Sequence, residues 1–284
     1  MLCLLATTKV TLQSRFSKND NGGLIYNLLY NSIVFFAVAL SFTPFLIIKG
    51  IDTPTVISGI IMGVLSTVFQ IFYVCAFSTG KMALTVIICD FSMIVPMAFS
   101  YFTYHEDFSI INLCGTALAL LAFVLCAVNG KKETQKEKNY VRWLAFISVV
   151  FLSNSFISIN QKVYSMENEV TNPFGFVAVA YITAFILSAL LMAFLKGKEK
   201  NVTLTVPKGV IISAVLAGIC LGVFQCINTY ANGIIDGTLL YSTYNCGCSV
   251  LSIIVGRALF KEKLSKRQYM GAAVGVAAIL LLCL

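Results

Sequence analysis

The chain has 284 residues, of which 58% are hydrophobic and only 11% charged, with a mean hydropathy of +0.89. A water-soluble protein is about half apolar and about a quarter charged, so the composition excludes a soluble enzyme or a nucleic-acid-binding module and requires a lipid solvent. The net charge of +8 therefore reads as orientation in a membrane rather than as affinity for nucleic acid.

A spanning helix takes about 20 apolar residues plus a connection, so this length holds roughly ten crossings and no sizeable soluble domain. Ten apolar runs are predicted, at 1–14, 24–48, 55–79, 82–103, 108–129, 140–162, 174–195, 209–232, 237–260 and 268–284. Hydrocarbon leaves bare backbone groups unsatisfied, so each run is expected to be helical. The runs are continuous rather than alternating, which excludes a β-barrel. The fold class expected is all-α and multi-pass.

The first run is short for a bilayer. Lys9 lies inside it and no small-residue cleavage pattern follows, so it does not read as a signal peptide. Leu12-Gln13-Ser14-Arg15 aligns with Asn160-Gln161-Lys162-Val163 at an offset of 148. The sixth run starts earlier relative to that point, which predicts that about eight residues of the first crossing lie upstream of Met1. In the fourth run, Pro96 is expected to kink the helix. The ten cysteines sit mostly inside apolar runs, form no CxxC pair and accompany a single histidine, His105. No metal site or cofactor is expected, and Cys246-Gly-Cys248 reads as close backbone packing.

The two halves repeat. Glu106-x-Phe-Ser-x5-Gly115 aligns with Glu262-x-Leu-Ser-x5-Gly271 at an offset of 156, and Gly63-x6-Gln70 aligns with Gly218-x6-Gln225 at 155. Residues 1–130 and 139–284 thus read as two five-helix units. An odd-numbered repeat enters the membrane with opposite orientation the second time, an architecture of transporters with the site between the halves. Charge placement tests this independently. Arg15, Lys18, Lys81, the Lys131–Arg142 group, the Lys196–Lys208 group and the Arg257–Arg267 group place 17 of the 20 basic residues on one side, against Lys49 and Lys162 on the other. By the positive-inside rule both termini are expected outside. Asn201-Val-Thr203, a glycosylation sequon, falls on the basic side and is discounted. Arg257 and its basic neighbours read as headgroup anchors. Gly59-x3-Gly63, Gly218-x3-Gly222 and Gly271-x3-Gly275 read as close helix contacts.

Polar residues inside a crossing must face a neighbouring helix or a watery cavity. Gln70 and Tyr73 share one stripe, Gln225, Asn228 and Asn232 a second, and Asn154, Ser158 and Gln161 a third. Tyr241, Asn245, Cys248 and Ser252 make a fourth, with mates Thr85, Cys89, Ser92 and Pro96. Asp90 is the acidic residue well inside a crossing, and its stripe carries Met93, Met97 and Tyr101 as an adaptable apolar wall. The predicted substrate-binding set is Gln70, Tyr73, Asp90, Asn154, Gln161, Gln225, Asn228, Tyr241 and Asn245, with Asp90 assigned to a coupling proton or cation. Two roles stay open for Lys9: partner of Asp90, or a side chain snorkelling to the interface. Asp236 reads as an N-cap.

The doubled Glu-x-Phe/Leu-Ser-x5-Gly signature resembles the EamA-like branch of the drug/metabolite transporter superfamily. The resemblance implies ten helices in two inverted repeats, alternating access, and outward carriage of small metabolites such as amino acids or toxic, drug-like compounds. It implies a cell (plasma or bacterial inner) membrane, and a cavity that uses the first helix. The short first run and the non-basic 104–108 loop depart from the family pattern. A flippase for lipid-linked substrates is the alternative within the superfamily. An intramembrane enzyme would need clustered His, Asp or Glu, and a channel would need a filter sequence; neither pattern is found. The partners expected are the bilayer, a small-molecule substrate and a coupling ion.

Overall fold

The computed structural model describes residues 1–19, 24–50, 52–80, 82–105, 110–127, 137–167, 172–198, 207–260 and 266–282. In chain order the helices are α1 (Leu2–Asn19), α2 (Leu24–Lys49), α3 (Thr53–Thr79), α4 (Met82–Asp90), α5 (Ile94–Tyr104), α6 (Ile110–Ala127), α7 (Glu137–Glu167), α8 (Pro173–Lys198), α9 (Lys208–Asn232), α10 (Gly237–Phe260) and α11 (Lys266–Leu282). Among the described residues there is no strand. The motif residues Glu106–Ser109 and Glu262–Ser265, the sequon and several basic loop residues, including Lys81, Lys131 and Lys263, lie outside the described residues.

Six helices are long and apolar enough to cross a membrane: α2, α3, α7, α8, α9 and α10. Leu113–Ala122 and Tyr269–Ala278 are shorter apolar stretches. Large apolar side chains such as Leu40, Ile60, Val64, Phe156, Leu190, Phe194 and Leu216 stand exposed on the outer faces. A soluble monomer rarely exposes so much apolar surface; lipid covers it here, and the chain is a multi-pass membrane protein.

Three predicted boundaries change. Helix α1 runs to Asn19, beyond the expected end at Ser14, and α7 extends from Glu137 to Glu167 rather than 140–162. The run at 82–103 is not one helix. A 3-10 turn at Phe91–Met93 divides it into α4 and α5. Pro96 supplies the reason: it has no N–H to bond the carbonyl of Ser92, four residues back. The Ser155 hydroxyl donates to that oxygen at 3.2 Å instead, so a neighbouring helix satisfies what the proline leaves open.

The helices pack in a pattern that maps onto itself. Helix α2 packs on α8, and α6 on α11. Helix α3 packs on α7 and α8, while α9 packs on α1 and α2. Exchanging α1, α2, α3 and α6 for α7, α8, α9 and α11 carries α3–α7 onto α1–α9 and α3–α8 onto α2–α9, and returns α2–α8 and α6–α11 onto themselves. Two glycines 155 residues apart permit the closest approaches. A Cβ on Gly63 would collide with the Ala180 carbonyl of α8, and a Cβ on Gly218 would stand 2.6 Å from the Val34 carbonyl of α2. Only a residue without a side chain lets these backbones meet. At the other end of the fold, the Cys246 thiol donates to the Gly275 carbonyl at 3.2 Å, so this cysteine is a packing residue.

Helix ends are tied down by polar side chains. Asp52 caps α3, accepting from the Thr55 amide at 3.2 Å and the Thr55 hydroxyl at 2.6 Å. The same hydroxyl meets Tyr164 of α7 at 2.7 Å, and Tyr164 accepts from the Asn172 amide that precedes α8. Lys162, expected among the few charges of the non-basic side, is buried. Its ammonium donates to the carbonyls of Asn232 and Ile235 at 3.1 and 3.3 Å, where α9 ends. A cation there complements the partial negative charge of a helix C-terminus.

Candidate functional site

A cavity of about 100 Å³ lies between the halves, walled by α1, α3, α4, α7, α9 and α10 with Tyr181 from α8. Eight of the nine predicted site residues line it: Gln70, Tyr73, Asp90, Asn154, Gln161, Gln225, Asn228 and Asn245. Tyr241 does not. It is fully buried, and its hydroxyl donates to Asn232 Oδ1 and to the Ser158 carbonyl. Met93 and Met97 also lie elsewhere, packed in a core with Tyr241 and Tyr244, and Tyr101 is exposed. They form no wall for the cavity.

The lining comes in repeat mates. Gln70 faces the space with Gln225, Tyr73 with Asn228, and Phe69 with Phe224, all 155 residues apart. Cys89 pairs with Asn245 at 156, and Ala6, Lys9 and Val10 pair with Asn154, Ile157 and Ser158 at 148. Residues at the repeat offsets of the sequence therefore share the lining of the cavity.

Residues 161–229 build a network of amides in which Asn228 Oδ1 is left without a partner. Gln161 Nε2 donates to Gln225 Oε1 at 2.9 Å and to the Thr229 hydroxyl at 3.0 Å, while Gln161 Oε1 accepts from Asn228 Nδ2 at 3.0 Å. Gln225 Nε2 reaches the Tyr181 hydroxyl at 3.4 Å. Asn154 turns to Ser92 at the broken helix, donating at 2.7 Å. Asn245 donates to the Tyr241 carbonyl one turn back, at 2.8 Å.

The first half is charged. Lys9 is only 7% exposed, and its ammonium donates to Gln70 Oε1 at 2.9 Å. It stands 5.3 Å from the ring centroids of both Phe69 and Tyr73, within cation–π range. Lys9 thus points into the cavity rather than snorkelling to the interface, and the hydrogen bond it makes there goes to Gln70. Asp90, at the end of α4, is 8% exposed and lines the same space. Lys9 was absent from the predicted set, although a signal existed. The α7 stripe of Asn154 and Ser158 maps at offset 148 onto Ala6 and Val10, which bracket it. Among the described residues, no group of three or more His, Cys, Asp or Glu could hold a metal ion.

The arrangement suits reversible binding of a small polar solute: hydrogen-bonding groups and two ionisable side chains surround a space of limited size, with aromatic rings beside them. Comparison with known proteins bears on this reading. Residues 11–128 match the EamA-like transporter family. An uncharacterized protein of Haemophilus influenzae is 26% identical over 194 residues, covering 66% of this chain and 62% of that protein, so the match spans less than two thirds of the relative. A crystal structure of a protein at 18% identity superposes with a TM-score of 0.69 over 99% of this chain and 95% of the other, a likeness of fold alone. The family likeness therefore rests on residues 11–128, over which this membrane chain is similar to the EamA-like transporter family.

Proposed function

We propose that the protein is a secondary transporter that exports a small polar metabolite by alternating access. In this reading residues 1–130 and 139–284 are inverted five-helix halves, together crossing the membrane ten times, with both termini outside a cell membrane. The observation that carries it is the cavity lined by polar side chains that stand at repeat-related positions of the sequence. An interface between pseudo-equivalent units can rock about a fixed site, which is how inverted-repeat carriers work. The paired helix contacts and the family match over residues 11–128 support the same reading. Gln70, Tyr73, Asn154, Gln161, Gln225, Asn228 and Asn245 supply the hydrogen-bonding wall. Tyr241 acts behind it, holding Asn232 and α7 in place.

Asp90 is assigned to proton or cation coupling, because a carboxylate at this depth is kept only where it is paired, protonated or hydrated. Asp90→Asn is expected to abolish pH-driven uptake in proteoliposomes while leaving solute counterflow intact; uptake that keeps its pH dependence would remove this role. Inversion is tested by single cysteines at Phe108 and Lys263, which are expected to react from opposite faces of the membrane. Labelling from one face alone would end the two-halves reading.

A further inference from the structure

We propose that Lys9 and Gln70 form an anion-binding subsite in the cavity, built for the carboxylate of a small solute. The inference deepens the carrier reading by naming the chemistry of its cargo. It starts from what each atom can do. A lysine ammonium has three N–H donors and no acceptor. Among the described residues one of the three is used, on Gln70 Oε1. Because lysine cannot accept, the Gln70 amide must turn its carbonyl to Lys9, which sets its NH2 group apart from the ammonium. That NH2 is buried and meets no acceptor, in a side chain only 1% exposed.

The result is a group of donors with a positive charge among them, beside a cavity in which no acceptor, Asn228 Oδ1 included, meets the Gln70 NH2. The faces of Phe69 and Tyr73 stabilise the ammonium, but they accept nothing from the amide. Burying an unmatched donor costs about 1–3 kcal/mol, which a ligand acceptor would recover. A carboxylate has two adjacent acceptor oxygens, one for Lys9 and one for Gln70. A dianion such as phosphate suits the site poorly, since the Asp90 carboxyl also lines the cavity. The equivalent positions of the second half, Ile157 and Gln225, make no such subsite. Ile157 carries no charge, and the Gln225 carbonyl is already met by Gln161.

The test uses the full-length purified protein and matched probes: L-lactate against L-lactamide, L-alanine against L-alaninamide, and sodium chloride alone. Thermal unfolding in detergent reads binding, and counterflow in proteoliposomes reads transport. At least one acid is expected to raise the unfolding midpoint of the wild type, with its amide and chloride giving no shift at equal concentration. Lys9→Met is expected to raise the concentration needed for half the shift by about tenfold or more, and Lys9→Arg to restore it, because an arginine still offers charged donors. Gln70→Glu keeps the size of the side chain and guards against a variant that merely misfolds. It gives Lys9 a permanent carboxylate within the chain, so it is expected to fold and to lose the response to acids. Amides or chloride acting as well as acids, variants responding like the wild type, or no acid shifting the midpoint would each overturn the subsite. Acids that shift the midpoint without any counterflow would retain the subsite and sink the carrier reading. Counterflow that ignores both the amide substitution and Lys9→Met would do the reverse.

Discussion

Lys9 and Ile157 hold equivalent places on the first helices of the two halves, as Gln70 and Gln225 do on the third. Their surroundings differ in kind. In the second half the Gln225 carbonyl is met by a neutral amide, Gln161, which is itself held by Asn228 and Thr229. In the first half the Gln70 carbonyl is met by an ammonium, and the Gln70 NH2 is left without an acceptor. At Gln225 the amide is met by neutral partners, with Asn228 Oδ1 nearby in the lining left open, while at Gln70 a charge and a spare donor face the cavity. A duplicated scaffold can thus keep its helix contacts while its facing side chains diverge. The contacts rest on backbones meeting at Gly63 and Gly218, and the cavity chemistry rests on other positions.

The comparison can be broken most forcefully at those glycines. Gly63→Val and Gly218→Val each drive a branched side chain against a carbonyl that cannot swing aside. Overpacking of a tight contact costs about 1–3 kcal/mol, and both variants are expected to lose most of the monodisperse protein recovered in detergent. If one is tolerated and the other is not, the halves are not packed equivalently.

A second contrast uses Gln13 and Gln161, mates at offset 148. Gln161 makes three hydrogen bonds, whereas both amide atoms of Gln13 are buried without a partner. Gln161→Leu would orphan Asn228 Nδ2 and is expected to cost about 1–3 kcal/mol, read as a lower unfolding midpoint. Gln13→Leu removes groups that already lack partners, so its midpoint should equal or exceed that of the wild type. The opposite order would contradict the contrast between a bonded Gln161 and an unpartnered Gln13.

The smallest effect compares the starts of α3 and α9. Asp52 caps α3, while Pro207 before α9 offers no side-chain cap. Asp52→Ala is expected to cost about 1 kcal/mol at neutral pH, and Pro207→Ala removes no cap. Partial burial pushes the Asp52 carboxyl upward, but hydrogen bonds from the Thr55 hydroxyl and amide outweigh it and hold the group below its ordinary 3.8. A carboxyl lowered on folding contributes stability above its unfolded value and loses it as pH falls through the folded one. The difference between wild type and Asp52→Ala should therefore be full at pH 7 and vanish in strong acid. A difference that persists there would mean the capping reading is wrong.

Much of the cavity was legible because helical spacing and the repeat offset reinforce each other: Gln70 with Gln225 and Asn154 with Gln161 share faces by period alone. Tyr241 was misplaced for a physical reason. A long side chain on a helix covers the turn N-terminal to its own Cα, so from the first turns of α10 the phenol reaches past the cavity to Asn232. The burial of Lys162 was not legible, because the partner that holds it is the end of α9, remote in sequence.

The sequence by itself determined the solvent, the helical character of the apolar runs and most positions of the polar lining. These follow from composition and period, which are properties of the chain in one dimension. Tertiary structure alone decided that Lys9 meets Gln70, that Gln13 lacks a partner where Gln161 has three, and that Ser155 repairs the backbone opened by Pro96. Each depends on which atoms from distant helices arrive within about 3 Å, a matter of packing that no spacing along one helix encodes.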